Sequence, residues 1–232
     1  MEIQFYQRTF KQALLATFLV LVLIVTTFFS FEPKVGQAVT GGPFTIKQTV
    51  TAEISFLVSP ANVIATGTIN GITGGTSNGT TTAVVLTNNP AGYTMSIAYT
   101  SNGSDNAMIG DTTASQSIRD YPASGGEPTY TFSTASSSSV FAYTVSAANT
   151  ADLDASFKDN GSACNTGSND TAGYTCWMEP KTTGFQIVNR TTDAPSGATT
   201  TINFRVHVPN SPSPSLPADT YTATATLTAL NT

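Results

Sequence analysis

Residues 199–230 read TTTINFRVHVPNSPSPSLPADTYTATATLTAL. At their start, Ile202, Phe204, Val206 and Val208 alternate with Asn203, Arg205 and His207. At their end, Tyr221, Ala223, Ala225, Leu227 and Ala229 alternate with threonines. Successive side chains of a strand point to opposite faces, so period-two patterning marks strands with one apolar face. The Pro/Ser-rich segment between the runs cannot continue either strand and has to turn. The stretch therefore predicts a closing β-hairpin, apolar on one face and Thr-coated on the other. An apolar face needs a second sheet packed on it.

Working outward, the same patterning recurs. Phe44–Val58, FTIKQTVTAEISFLV, has an apolar face broken only by Gln48 and predicts a long first strand, or two strands sharing a bend, ended by Ser59-Pro60. Residues 62–72 predict a weaker strand closed by glycines. TTTAVVLT (80–87) and YTMSIAY (93–99) flank Asn88-Asn89-Pro90-Ala91-Gly92 and predict a second hairpin, with Gly92 free to take positive φ. Further strands are expected over 129–133, 140–147 and 185–188. Residues 101–128 are irregular, with Met108-Ile109, Ile118 and Tyr121 as isolated apolar anchors. Eight to nine strands at this spacing predict an all-β fold. The expected class is an antiparallel Greek-key or immunoglobulin-like β-sandwich over residues 42–232, preceded by an N-terminal hydrophobic helix.

That helix comes from Ala13–Phe31, an uncharged run following Arg8 and Lys11. The flanking charge, the apolar core and Gly36-Gln37-Ala38 downstream fit a secretory signal cleaved near Ala38. The run is also long enough to span a bilayer, so residues 1–38 are either a signal peptide or a membrane anchor. Under both readings the chain beyond Phe31 lies outside the cell. An extracellular or cell-surface location is therefore expected, with membrane attachment through residues 13–31 if the segment is uncleaved.

Composition supports this. Only a tenth of the 232 residues are charged, and the formal net charge is −5. An acidic chain gives nucleic acid no basic footprint. The only cysteines, Cys164 and Cys176, enclose a Gly/Asn-rich loop and predict a disulfide in an exported chain.

Candidate site residues are few. Tyr121, Tyr174 and Trp177, with Tyr130, are candidates for a ligand-facing aromatic row that stacks on sugar rings. The other reading of Trp177 places it in the core or on the disulfide. Asp152, Asp154 and Asp159 present clustered oxygen ligands that suit calcium, although Phe157 stands where a calcium loop of the EF-hand type needs glycine. The alternative for these aspartates is a solvated acidic rim. His207 is the only histidine, no G-x-S-x-G elbow occurs, and Glu is scarce after Ala38. No catalytic residue or confident metal ligand is assigned, and no cofactor is expected apart from possible Ca2+. Asn78, Asn102, Asn160, Asn169 and Asn189 each open an N-x-S/T triplet.

Two phrases carry a resemblance. NNPAGYTMSI (88–97) and LPADTYTATATLT (216–228) resemble strands of secreted β-sandwich domains in bacterial WxL-type and fimbrial-type surface proteins. The usual glycine of the second motif is Asp219 here, and no Trp-x-Leu motif occurs, so peptidoglycan binding does not carry over. Asp219-Thr220-Tyr221 also resembles a tyrosine corner. The expectation is an exported, non-enzymatic bacterial cell-envelope protein, a structural or appendage subunit or an adhesion module. Its expected partners are cell-envelope components, other surface proteins or glycans. A carbohydrate-binding module and a secreted hydrolase are the alternatives. The first needs aromatics converging on an exposed face; the second needs two carboxylates lining a cleft.

Overall fold

A computed structural model describes residues 3–30, 42–64, 66–101, 106–123, 125–134, 137–166 and 174–232. The proposed cleavage site at Ala38 lies outside them. The chain divides into two compact units, Met1–Thr49 and Val50–Thr232.

In the first unit, α1 (Ile3–Ser30) is a 28-residue helix. Its stretch Thr9–Thr27 is long and apolar enough to cross a membrane, and no part of that stretch is buried. The Thr17 hydroxyl donates to the Ala13 carbonyl and the Thr26 hydroxyl to the Val22 carbonyl. These bonds satisfy the two threonine hydroxyls within the helix, as an apolar surrounding would demand.

The second unit is β structure. Its strands are β1 (Ile54–Val58), β2 (Gly75–Thr87), β3 (Tyr93–Tyr99), β4 (Met108–Gly110), β5 (Ser117–Asp120), β6 (Val140–Ala147), β7 (Phe185–Arg190), β8 (Ala194–Val208), β9 (Tyr221–Ala223) and β10 (Ala225–Asn231). They form a seven-stranded sheet ordered β1-β2-β8-β6-β5-β4-β9 and a three-stranded sheet ordered β10-β3-β7. The two sheets share one core. The large sheet contributes Val85, Tyr143, Val145, Ile202, Phe204 and Val206; the small one contributes Tyr93, Met95, Ile97 and Ile187. Each of these aliphatic side chains, taken out of water, stabilises the fold by about 1.5–3 kcal/mol. Tyr99 and Tyr143 meet in the middle with ring centroids 5.5 Å apart.

The alternating faces match the sequence in β3, β6 and β8, but the pairing differs. β8 pairs with β2 and β6, not with the closing strand. The expected closing hairpin therefore does not form. The segment 209–220 carries the chain across to the far end of the large sheet, where β9 pairs with β4. The closing run is also not one strand. It breaks at Thr224, leaves the large sheet, and β10 continues in the small sheet against β3. Ala225, at that break, is exposed rather than core-facing.

The second expected hairpin fails in the same way. β2 and β3 lie in different sheets, and residues 88–92 form an arch between them. Gly92 has φ 84°, and a Cβ there would stand 2.0 Å from the Arg190 carbonyl oxygen. Both the positive φ and the close backbone approach require glycine. The sheet is not wholly antiparallel either, since β5 and β6 pair in parallel. Among the described residues, 42–53 form no strand, 62–72 hold only one end of an isolated Asn70–Gly74 bridge, and 129–133 keep only the Thr129–Trp177 bridge.

The resemblance to a tyrosine corner has a physical counterpart. The Tyr221 hydroxyl donates to the Pro217 carbonyl at 3.0 Å. Asp219 has a role that the usual glycine could not fill. Its carboxylate accepts from the backbone N–H groups of Thr112, Thr113 and Thr220, clamping the turn after β4 to the start of β9. Desolvation works against its charge, but a hydrogen bond from the Thr112 side chain, together with these backbone bonds, outweighs it and lowers its pKa.

Candidate ligand face and the predicted site residues

The outer face of the large sheet carries the richest side-chain chemistry. β2 and β8 bring polar residues directly opposite one another: Thr76 with His207, Asn78 with Arg205, Thr80 with Asn203. Each pair is bonded. Thr76 Oγ1 lies 2.8 Å from His207 Nδ1, Arg205 Nε donates to Asn78 Oδ1 at 2.8 Å, and Thr80 Oγ1 donates to Asn203 Oδ1 at 2.7 Å. Cross-strand pairs of this kind fix register as well as stability. Desolvation, then the Arg205 charge, lowers the His207 pKa, so the imidazole is held neutral more readily than a free one.

Next to this ladder, β6 is covered on its outer face as well. Val140 and Ala142 form a second small core with Tyr121 and Trp177, and Phe132 packs on it. Tyr121 and Phe132 stack at 4.9 Å, and Phe132 meets Trp177 edge-on at 5.2 Å. Arg205 lies over this group, 4.2 Å from the Trp177 centroid, 5.1 Å from Phe132 and 5.8 Å from Tyr174. Each such contact draws the cation to the negative face of a ring. Trp177 is held by its backbone bridge to Thr129 and by Nε1 donating to the Tyr174 carbonyl at 3.0 Å.

The predicted aromatic row is therefore brought together but mostly not presented. Trp177 is 0% exposed and Tyr121 1%, while Tyr174 is 52% exposed. Tyr121 and Trp177 face a covered pocket of the protein and not a ligand. The Tyr121 hydroxyl is taken up by Thr129 Oγ1 and the Ser133 N–H. Trp177 is a core residue, as the other reading expected, but it fills the small second core outside the large sheet, while Cys176 beside it belongs to the main core. The surface available to a ligand is Tyr174, the Arg205 edge and the exposed Thr76, Asn78 and Thr80. Such a face offers one ring and several hydrogen-bonding groups.

Cys164 and Cys176 are joined by a disulfide, with Cα atoms 5.7 Å apart. The bond closes the loop that carries Tyr174 and sets the start of the Trp177 segment.

The three candidate calcium ligands are each engaged separately. Asp152 is buried and pairs with Arg190 at 2.5 Å. Asp154 accepts from the Ser156 N–H and hydroxyl and from Gln186 Nε2. Asp159 is fully buried and accepts from the Gly161 N–H and the Thr175 hydroxyl. These carboxylates order the two short 3-10 turns and the disulfide loop. Two of the three are buried, so they do not form a solvated rim. Among the described residues no group of three or more His, Cys, Asp or Glu could hold a metal.

Sequence reasoning missed Phe132 and the Arg205 cage. Arg205 was legible as an outward residue of β8, but nothing local to it in sequence announced the rings that cover it.

No protein-family model, curated protein or solved structure matches the chain.

Proposed function

We propose that the chain is an exported, non-enzymatic protein of a bacterial cell envelope, a structural or appendage subunit held at the surface. The observation that carries this reading is the helix Thr9–Thr27, long and apolar enough for a bilayer, in a chain whose β-unit contains a disulfide. Thiols persist as disulfides chiefly outside the reducing cytosol. Arg8 and Lys11 on the N-terminal flank favour an inside N-terminus and an external β-unit. The finer fold assignment, a Greek-key sandwich of immunoglobulin-like type, is supported by the sheet-crossing connections and by the Tyr221–Pro217 bond. The parallel β5–β6 pair and the position of Trp177 outside the main core set this chain apart from the usual pattern.

The structural reading is preferred to a carbohydrate-binding module because that module needs a row of exposed rings, and here Tyr121 and Trp177 are covered. The test is protease treatment of intact bacteria expressing the full chain with a C-terminal epitope. Loss of the epitope from intact cells, together with a non-reducing peptide map that retains the Cys164–Cys176 link, is the expected result. An epitope protected until lysis, with both thiols free, rules the reading out.

A further inference from the structure

Arg205 is the anomaly of the β-unit. Arg190 is paired with Asp152, Lys181 with Glu179, and Lys158 Nζ donates to the Ala151 carbonyl. Arg205 is half-buried, yet among the described residues no carboxylate pairs with it. A guanidinium taken partly out of water without an anion is an unpaid desolvation. That desolvation lowers the Arg205 pKa, with Tyr174 opposing in part.

The fold nevertheless holds this cation in place. Its ladder neighbours are Asn78 on β2 and Ala142 on β6. Asn78 accepts from Nε, and the Trp177 indole lies against the guanidinium, so both the reach and the tilt of the side chain are set. Nε is the one donor of the group with an acceptor among the described residues. The terminal nitrogens are left as a flat fork, which a carboxylate meets with two parallel hydrogen bonds. The groups around the fork suit a sugar. Tyr174 is 52% exposed, and its ring centroid lies 5.8 Å from the guanidinium carbon. Thr76, Asn78 and Thr80 are exposed on the same face. An aromatic ring takes the apolar side of a pyranose, while hydroxyl and amide groups bond its hydroxyls.

We infer that this face binds a pyranose carrying a carboxylate, a uronic acid residue of a glycan, with the carboxylate on Arg205 and the sugar ring on Tyr174. The inference rests on the surface reading for its source of ligand, since a chain held outside the cell meets such glycans. The position of the site favours a sugar over an acidic peptide. β2 and β8 are inner strands, flanked by β1 and β6, so their main-chain groups are spent in the ladders. An extended peptide therefore finds side chains here but no free strand edge. Charge limits the ligand further. A formal net charge of −5 repels a polyanion, so the acidic residue belongs to an otherwise neutral chain. One exposed ring likewise suits one sugar, not a row of them. Recognition of a single residue adds to a structural role and does not replace it.

Trp177 is the single tryptophan of the chain and lies against Arg205, so its fluorescence reports on the site. The full chain, in a detergent without sugar headgroups, is titrated with methyl β-D-glucuronide, methyl β-D-glucoside and a capped aspartate. The expected result is a saturable change with the glucuronide, at concentrations about tenfold or more below those the neutral glucoside needs. The capped aspartate, which has the carboxylate without the ring, should bind about threefold or more weaker than the glucuronide. Arg205→Gln should weaken glucuronide binding by about tenfold or more. Tyr174→Ala removes an exposed ring, so it should melt unchanged and still bind about threefold or more weaker. Lys158→Gln, which removes a cation engaged elsewhere, should bind as the native chain does. The inference is overturned by no saturable change with the glucuronide, by equal binding of the glucoside, or by undiminished binding in Arg205→Gln or Tyr174→Ala. A capped aspartate that binds as tightly as the glucuronide makes the face a protein contact and overturns it too. None of these measurements involves a cell, so failure of the surface reading shows separately, as an epitope protected until lysis.

Discussion

The Arg205 guanidinium carbon lies 4.2 Å from the centroid of the Trp177 indole, on the outside of the large sheet. The pair closes a small second core that Tyr121, Val140 and Ala142 complete. Because Trp177 is fully buried, Trp177→Ala should cost about 3–5 kcal/mol. Arg205→Ala loses the cation–ring contact and the methylene packing, and should cost about 1–2 kcal/mol. Arg205→Lys keeps the charge but not the flat stacking or the Nε bond to Asn78, and should recover only part of it. Urea unfolding of the three variants checks the order. A neutral Trp177→Ala would mean that the outer cluster contributes little.

Tyr99 and Tyr143 carry the opposite kind of group. Among the described residues, their buried hydroxyls have no hydrogen-bond partner. A buried donor left unpaired is destabilising, so removing it costs nothing and can stabilise. Tyr143→Phe should therefore be neutral or more stable by up to about 1 kcal/mol. Tyr221→Phe makes the contrast. Its hydroxyl bonds to the Pro217 carbonyl, and its loss should cost about 1 kcal/mol. Thermal melts of both variants decide it, and a destabilised Tyr143→Phe contradicts the assignment.

The same phenols set an alkaline limit. Burial, then the Asp152 charge, raises the Tyr93 pKa from 10.0 to about 12, with Arg190 opposing in part. Burial likewise raises Tyr99 well above its ordinary value. For Tyr143, burial raises the pKa and Glu179 adds to it. In the unfolded chain these phenols ionise first, so the folded state binds more protons above pH 10. Stability is therefore fully present below about pH 10 and falls as pH rises through about 12. Denaturant midpoints across that range should drop steeply. The absorbance change that is lost in a Tyr143→Phe variant isolates one buried phenol, and it should appear together with unfolding; its appearance in fully folded protein near pH 10 would contradict this burial.

What the sequence revealed, and what it hid, follows one physical line. Period-two patterning reports which face of a strand is buried, and it located Tyr93–Tyr99 and Val140–Ala147 to the residue. It does not report which strand lies alongside. Asn88–Gly92 has turn chemistry that serves a hairpin and an arch between sheets equally well, and here it is the arch. Met108–Gly110 and Ser117–Asp120 are too short to show a period. Residues 44–50 show the period, broken only at Gln48, yet they form no strand in the structure. Trp177 beside Cys176 pointed to a packed indole. Adjacent residues point opposite ways, and only the fold determines which of the two enters the main core.

The cysteine pair allows a further measurement. Reducing the Cys164–Cys176 bond, or replacing both residues with serine, frees a loop with a sequence separation of 12. Loop entropy alone sets the expected loss at about 2–3 kcal/mol. Part of the effect should be local. Asp159 is tied to Thr175 within the same loop, and the Cys176 N–H donates to the Tyr130 carbonyl. Hydrogen exchange should therefore speed up around 159–178 more than in β3 or β8. Uniform acceleration would mean that the bond acts only through the unfolded chain.

The closing run gives the sharpest test of face assignment. Leu227 lies opposite Ile97 in the β10–β3 ladder and packs on the core, while Thr226, opposite Ala98, is exposed. Leu227 sits on an edge strand and is only half-buried, so Leu227→Ala should cost about 1–2 kcal/mol, below the usual range for a fully buried leucine. Thr226→Ala should change stability by no more than about 0.5 kcal/mol. A shift of one residue in register would exchange the two results, because every side chain of the strand would change faces. Urea unfolding of both variants decides it, and a Thr226→Ala more damaging than Leu227→Ala would reverse the assignment of faces.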